Sequence, residues 1–81
     1  MVAIDVRLPQ YAMTMHEGTL VRWLKQVGDR VEEGEPIAEV ETDKMTVELE
    51  APQSGVLTAL EALPGETVAV RARVAVIEAE R

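Results

Sequence analysis

The chain has 81 residues, 47% of them hydrophobic, with a formal net charge of −7, so we expect one small domain over residues 1–81. Eight basic against fifteen acidic residues exclude a basic nucleic-acid-binding surface. With no cysteine and one histidine, the chain has no disulfide, no thiol nucleophile and neither a thiolate nor a histidine-rich metal site, so we expect no bound metal. No apolar run is long enough to span a membrane and no signal peptide is present, so we expect a cytoplasmic protein without a membrane or nucleic-acid partner.

Apolar and polar residues alternate along most of the chain, which is the pattern of half-buried strands. In chain order, the predicted strands are 4–8, 20–26, 38–41, 46–50, 57–63, 68–70 and 74–77. Turn signals rich in glycine and proline separate them at the spacing typical of an all-β sandwich or barrel. Segment 57–63 favours helix on propensity alone. We predict a strand there because its counterpart, 20–26, is more β-like.

The two halves of the chain resemble each other. Residues 18–40 align with 55–77, and residues 4–9 align with 47–52. The first half is longer by six residues, all of them in the loop at 10–17. Since neither half is large enough to bury its apolar face alone, we expect two β-meanders packed face to face about a pseudo-twofold axis.

Some prominent residues have structural interpretations. We expect Trp23 to be a packing residue and not a binding residue. We expect positive-φ turns at the glycines, namely Gly18, Gly28, Gly55 and Gly65. Alternation predicts that four acidic side chains share one outer face, where they either keep sheet edges soluble or complement a basic partner: Glu39, Glu41, Glu48 and Glu50.

Lys44 lies where the chain must reverse between two predicted strands, at the tip of a hairpin. Asp43 precedes it, and aspartate favours such turns because its carboxylate accepts hydrogen bonds from nearby backbone N–H groups. Taken by itself, a lysine in a turn is a solvated charge. Nothing near it in sequence supports a Schiff-base lysine, which needs desolvation or a second cation.

The segment Glu41-Thr42-Asp43-Lys44-Met45 resembles the modification motif of lipoyl domains, the carriers of 2-oxo acid dehydrogenase complexes. Further stretches similar to that family follow in order over nearly the whole chain, at 13–24, 27–31, 33–37, 50–56 and 64–68. The resemblance implies an all-β flattened barrel, or barrel-sandwich hybrid, of two four-stranded antiparallel sheets with internal pseudo-twofold symmetry. It also implies lipoic acid bound covalently to Lys44.

The implied function is that of a swinging arm, and the domain itself catalyses nothing. A lipoate ligase or lipoyl transferase modifies Lys44, and a thiamine-diphosphate-dependent 2-oxo acid decarboxylase then acylates the arm. An acyltransferase core passes the acyl group to coenzyme A, and dihydrolipoyl dehydrogenase reoxidises the arm. The resemblance implies the N-terminal part of a longer dihydrolipoyl acyltransferase, and we expect the isolated domain to be monomeric.

The resemblance also suggests recognition residues. Asp43 and Met45 flank the lysine, although Asp43 is equally well explained as a turn former. Partner recognition is assigned to Glu41 and to the loop at 10–17, which in the family lies beside the lysine. The loop residues are Met13, Thr14, Met15, His16 and Glu17. Ordinary tolerance of loops to insertion explains the extra length without any function, and we give His16 no catalytic role.

Three alternatives stay open. A biotinyl carrier domain has a similar fold, but its lysine is typically flanked by methionine on both sides, whereas here Asp43 precedes Lys44. The glycine-cleavage H protein is longer and differs around its lysine. An unmodified interaction module of the same fold needs no lysine at the tip. An enzyme is least supported, because no nucleophile–base pair or phosphate loop is present.

The motifs are shared by complexes that oxidise pyruvate, branched-chain acids and acetoin-type substrates.

Overall fold

The computed structural model describes residues 2–79, which form eight β-strands; Met1, Glu80 and Arg81 of the predicted domain lie outside the described residues. The strands are β1 (Val2–Arg7), β2 (Glu17–Trp23), β3 (Arg30–Val31), β4 (Pro36–Glu41), β5 (Thr46–Glu50), β6 (Gly55–Leu60), β7 (Thr67–Ala69) and β8 (Arg73–Ala79). Within 2–79, no helix has the length and apolarity that crossing a membrane requires. Of the helix-prone segment 57–63, residues 57–60 are strand, as predicted, because pairing with β8 and β3 overrides their local propensity, whereas residues 61–63 lie beyond the end of β6.

The strands form two four-stranded antiparallel sheets, in the orders β1-β8-β6-β3 and β5-β4-β2-β7. The predicted all-β fold of two such sheets is confirmed. The prediction that each half forms its own meander is wrong, since each sheet takes two strands from each half. Alternation tells which face of a strand is buried, but it does not tell which strand lies beside it.

The sheet orders display the internal symmetry directly. Replacing each strand of the first half by its counterpart in the second half, and the reverse, converts β1-β8-β6-β3 into β5-β4-β2-β7. Each half therefore shares backbone hydrogen bonds, as well as core contacts, with the other half.

The core lies between the two sheets and is almost entirely aliphatic. Side chains with less than 2% exposure come from both halves: Leu8, Ile37, Leu49, Leu57, Ile77, Val6 and Val31. Trp23 packs against this core, as predicted, and its indole N–H donates a 2.8 Å hydrogen bond to the Ala62 carbonyl. No polar or charged residue of the described chain is buried.

The glycines at the repeat positions serve two different purposes. Gly28 and Gly65 have φ of 97° and 88°, as predicted. The same prediction is wrong for Gly18 and Gly55, which lie in strands where a side chain has no room. A Cβ on Gly18 would lie 2.7 Å from Val40 Cγ1, and one on Gly55 would meet the side chain of Ile77 and the backbone of Glu78. Close packing requires glycine at those two positions.

The two ends of the domain differ. β1 and β8 pair from Val2 opposite Ala79 to Arg7 opposite Arg73. Beyond Arg7, the chain enters the loop at 10–17 and returns as β2, which begins at Glu17. Thr19 of β2 is paired with Glu41, the last residue of β4 before the lysine hairpin. The loop and the hairpin are therefore at the same end of the molecule, and Val2 and Ala79 are at the other end.

Candidate functional site

Lys44 lies at the tip of the hairpin that joins β4 to β5, and residues 42–45 form its turn, here called the lysine hairpin. The last strand pair before the turn is Glu41 with Thr46. The Thr42 N–H donates to the Met45 carbonyl at 2.8 Å, and the Thr42 hydroxyl donates to the same carbonyl at 2.9 Å. In return, the Met45 N–H lies 3.3 Å from Thr42 Oγ1. The turn is therefore closed by threonine.

Asp43 is exposed and accepts no hydrogen bond from residues 2–79. Its interpretation as the turn-forming residue is wrong, because the Thr42 hydroxyl makes those bonds. The sequence signal was present, since threonine hydroxyls form the same kind of turn as aspartate. The Asp43 carboxylate is consequently available at the surface beside the lysine.

The two lysines of the chain have different surroundings. Lys44 is exposed and forms no ion pair within the described residues. Lys25 lies 2.9 Å from Glu35 Oε2, and the hydrogen bond and charge of that carboxylate raise the pKa of Lys25. Lys44, the lysine of the motif, is thus the one whose Nζ forms no ion pair with a carboxylate in the described part of the chain.

The loop at 10–17 lies against the lysine hairpin. The Gln10 side-chain amide donates to the carbonyls of Met13 and Met15, at 3.1 and 3.2 Å. The Tyr11 hydroxyl donates to the Glu48 carbonyl at 3.3 Å, which connects the loop to β5. The Val70 N–H donates to the His16 carbonyl at 2.9 Å. These contacts give the loop a defined shape beside the lysine.

A groove of about 330 Å³ separates the loop from the lysine hairpin. Its walls are residues 11, 12 and 14–17 on the loop side and residues 42–45 on the hairpin side. Lys44, Asp43 and Met45 therefore border the same groove as most of the loop residues assigned to recognition. The structure brings the two predicted parts of the site together.

The predicted recognition residues differ in exposure. Met13 is 94% exposed and Met45 is 60% exposed, while Thr14, His16, Glu17 and Glu41 are also at the surface. Met15 is only 8% exposed and belongs to the core cluster. We therefore correct its assignment from surface contact to packing residue at the base of the loop. A sequence of alternating polar and apolar loop residues does not reveal which methionine turns inward.

Sequence reasoning missed Tyr11, which lines the groove. Burial, and secondly the charge of Glu50, raise the pKa of its phenol above the ordinary value of 10.0. Its backbone N–H lies 3.4 Å from Met15 Sδ. An aromatic residue inside a polar loop was a usable signal, because a large ring in a loop gains stability when it packs against a neighbouring element.

The outer face of the β5-β4-β2-β7 sheet is acidic, as predicted. Glu39 is directly opposite Glu48 in the register, and Glu41 and Glu50 lie on the same face at period two. Arg22 offsets one of the four charges through a 2.7 Å contact with Glu39. The other three carboxylates are exposed, so the face adjoining the lysine hairpin has a negative charge.

Comparison with known proteins identifies the class. Residues 4–78 match the biotin–lipoyl family, whose description is Biotin-requiring enzyme, and the chain belongs to this family. It is 48% identical over 73 residues to the dihydrolipoyllysine-residue succinyltransferase component of the 2-oxoglutarate dehydrogenase complex of Staphylococcus saprophyticus. It is 41% identical over 76 residues to the dihydrolipoyllysine-residue acetyltransferase component of the pyruvate dehydrogenase complex of Corynebacterium glutamicum.

These matches cover 90% and 94% of this chain but only 17% and 11% of the two relatives, so the chain spans a small part of their length. Among solved structures, the lipoyl domain of the 2-oxoglutarate dehydrogenase complex of Azotobacter vinelandii has a TM-score of 0.75 at 29% identity, covering 94% of this chain and 96% of that one. Together these relatives group the chain with the lipoyl domains of dihydrolipoyllysine acyltransferases, which are non-catalytic carriers. The predicted family is confirmed.

Urea carboxylase of Kluyveromyces lactis has a TM-score of 0.82 at 24% identity, over 96% of this chain and 6% of that protein. At that identity the likeness concerns the fold alone. The barrel-sandwich is therefore found both in a lipoyl domain and in a carboxylase, so the fold alone does not identify a lipoyl domain.

Proposed function

We propose that the domain is a swinging-arm carrier with lipoic acid attached through an amide to Nζ of Lys44. The observation that carries this proposal is the position of Lys44. Its side chain is exposed at the tip of a hairpin whose turn is closed by Thr42, and its Nζ has no ion-pair partner within residues 2–79. Together with its neighbours from Glu41 to Met45, it forms the segment that resembles the modification motif of lipoyl domains.

Attachment requires an accessible amine and an activated carboxyl group. Nζ of Lys44, as the free amine, would attack the carboxyl carbon of lipoate that the modifying enzyme has activated with AMP. The new C–N amide bond replaces the bond to AMP, which leaves, and Nζ loses one proton. The hairpin contributes by holding Nζ away from carboxylates that would pair with it. Asp43 and Met45, both exposed, lie directly before and after Lys44 and offer the modifying enzyme a contact on each side of the lysine.

When bound, the lipoyl group supplies a dithiolane that carries an acyl group as a thioester together with two electrons. The protein holds this arm on a short turn. The strands before and after the turn pair from Glu41 with Thr46 onward, so the attachment point is directly continuous with the sheet. The chain has no cysteine of its own, so the arm has no thiol within the domain with which to exchange.

The partners in this proposal are those of a 2-oxo acid dehydrogenase complex. They are a lipoate ligase or lipoyl transferase, a thiamine-diphosphate-dependent decarboxylase, an acyltransferase core and dihydrolipoyl dehydrogenase. The names of the relatives support such a complex, because two of them are components of the 2-oxoglutarate and pyruvate dehydrogenase complexes. We propose that the exposed loop residues Met13, Thr14, His16 and Glu17, with Glu41, are contacted by the decarboxylase.

A biotinyl arm is the second candidate, because the fold of a carboxylase is so similar. The two candidates differ at the residue before the lysine, where this chain has Asp43. A paired labelling experiment separates them. The unmodified domain is incubated with ATP and either lipoate and lipoate ligase or biotin and biotin ligase, and its intact mass is measured.

We expect a single lipoyl addition that peptide mapping assigns to Lys44, and no biotinyl addition. Lys44→Ala should abolish the addition and leave the far-UV spectrum unchanged, because an exposed tip side chain contributes little to stability. Lys25→Ala is the matched control, since it removes the only other lysine and should be lipoylated normally. A biotinyl addition, or no addition in either reaction, would overturn the proposal, and an unfolded Lys44→Ala protein would contradict the exposed position.

A further inference from the structure

The groove between the loop at 10–17 and the lysine hairpin is a formed feature of the protein surface. Its volume of about 330 Å³ is at the lower end of the range for small-molecule pockets. Met15, almost completely buried, contributes to its floor, and Tyr11, Ala12 and Met45 add apolar surface. Lys44 itself is a wall residue. Any group attached to Nζ therefore starts at the edge of a groove that combines these apolar side chains with polar ones, namely Thr14, His16, Glu17, Thr42 and Asp43.

We propose that this groove holds, in cis, the apolar arm attached to Lys44, so that the arm alternates between a parked position on the domain and an extended position in solvent. This inference rests on the proposed function and adds a binding site to it. The occupant is an aliphatic acyl chain ending in a disulfide ring, and its tether is the lysine that borders the groove.

The lining suits that chemistry. Burying an alkyl chain against apolar side chains removes apolar surface from water, which is favourable. Methionine side chains adapt to irregular apolar partners, and sulfur makes favourable contacts with aromatic rings. The groove offers two methionines and the Tyr11 ring. Because the arm is tethered at the rim, its effective concentration at the groove is high even when the intrinsic affinity is weak.

The groove is already shaped before any arm occupies it. Hydrogen bonds from Gln10 to the carbonyls of Met13 and Met15 fix the loop, and the Tyr11 hydroxyl joins it to Glu48 of β5. A preformed site does not have to order its own residues when it binds. The groove is also open to solvent along one side, so a parked arm is able to leave it.

The internal repeat indicates that this groove is a specific addition. The second half of the chain has two residues, Gln53 and Ser54, where the first half has the eight residues 10–17. The loop wall of the groove, residues 11, 12 and 14–17, lies within this longer segment. The insertion thus occurs at the end of the pseudosymmetric domain where the proposed arm is attached.

The test compares the unmodified domain, the lipoylated domain and a domain acetylated at Lys44, whose short acyl group does not reach the groove. Lipoylation is first confirmed by intact mass, so that a failure of loading is recognised as a failure of the proposed function. We expect lipoylation, and not acetylation, to shift the NMR signals of the Met15 methyl group and the Tyr11 ring. We also expect cross-relaxation between them and the methylene protons of the arm.

Ala12→Arg places a bulky charged side chain in the groove without creating a new lysine, and Ala3→Arg is its matched control on the exposed face of β1. The readout is the rate at which a water-soluble phosphine reduces the arm's disulfide. If the arm is free in about one molecule in ten, reduction is about tenfold slower than for free lipoamide. Ala12→Arg should restore the rate of free lipoamide, and Ala3→Arg should not.

The inference is overturned if the loaded wild-type domain and both loaded variants are reduced at the rate of free lipoamide. It is also overturned if the signals of Met15 and Tyr11 respond to lipoylation no more than to acetylation. Either result leaves the attachment of lipoate to Lys44 intact, since that is established separately by mass.

Discussion

At the residue scale, the two halves place different residues in the same left-handed backbone conformation, and Arg71 is the one in the second half. Its φ is 74°, and its counterpart in the first half, Gly34, has φ of 84°. The left-handed conformation costs a non-glycine residue about 1–2 kcal/mol. The repeat has therefore preserved the turn while placing an arginine where the backbone favours glycine.

We predict that Arg71→Gly stabilises the domain by about 0.5–1 kcal/mol, because relief of backbone strain exceeds the entropy that glycine adds to the unfolded chain. Urea unfolding followed by Trp23 fluorescence measures the change. Arg71→Ala is the control: it removes the same side chain but keeps a Cβ, and it should give no comparable gain. If alanine stabilises as much as glycine, loss of the arginine side chain is the cause and not the backbone.

Tyr11 gives the domain a pH dependence on the alkaline side. Burial and the Glu50 charge raise the pKa of its phenol in the folded state above 10.0. Because folding favours the protonated phenol, this stabilisation is complete below the unfolded pKa and is lost as the pH rises through the folded pKa. Tyr11→Phe removes this contribution and leaves that of Lys25, whose pKa is also raised.

We therefore expect the urea midpoint of the wild type to fall more steeply than that of Tyr11→Phe between about pH 9 and about pH 11. The Lys25–Glu35 pair is unchanged by the substitution and contributes equally in both proteins, so the difference between the two curves reports Tyr11. Parallel curves would show that the phenol is not held in the folded loop.

At the element scale, the loop at 10–17 has an inner and an outer set of side chains. Met15 anchors it in the core, while Met13, Thr14 and His16 are exposed. Substitutions that test recognition by the loop must therefore leave Met15 in place. We predict that replacing Met13, Thr14 and His16 together by serine lowers acylation by the cognate decarboxylase at least tenfold, because a loss of about 1.4 kcal/mol of contact energy has that effect.

The same protein should be lipoylated at close to the wild-type rate, since the lysine hairpin is unchanged. Both rates are measured on one preparation, with Met15→Leu as the control that keeps an apolar anchor. Equal losses of acylation and lipoylation would refute a role for the loop in choosing the decarboxylase.

The strands themselves were largely predictable, but their pairing was not. Alternation located the strands and placed the acidic residues such as Glu48 on the outer face. The neighbours of a strand depend on long-range register, and no local pattern records that. The resemblance to lipoyl domains implied two four-stranded antiparallel sheets, but the interleaving of the two halves within each sheet was not predicted.

The site was predictable to a similar degree. The position of Lys44 at a hairpin tip followed from the chain reversal, and its importance followed from the resemblance. The closure of the turn by Thr42 instead of Asp43, and the inward direction of Met15, depend on side-chain packing in three dimensions. Gly55 was assigned to a turn because a glycine alone does not tell whether φ or space demands it.

At the scale of the whole molecule, the interleaving of the halves makes one cooperative unit. Each sheet contains two strands from either half, so neither half keeps a complete sheet without the other. We predict a single unfolding transition in urea, with coincident curves from Trp23 fluorescence and from far-UV circular dichroism. A fragment that ends at Lys44 should have no stable β-structure, and one that folds alone would contradict this account.

The pairing of Val2 with Ala79, at the end opposite Lys44, makes the domain a spacer as well as an anchor. A polypeptide joined before Val2 or after Ala79 is attached on the far side from the lysine. The body of the domain therefore adds to the reach of whatever Lys44 holds, by about 20 Å for the six residues of β1 alone. Shortening a flexible tether at either terminus would therefore leave this part of the reach unchanged, because the folded domain supplies it.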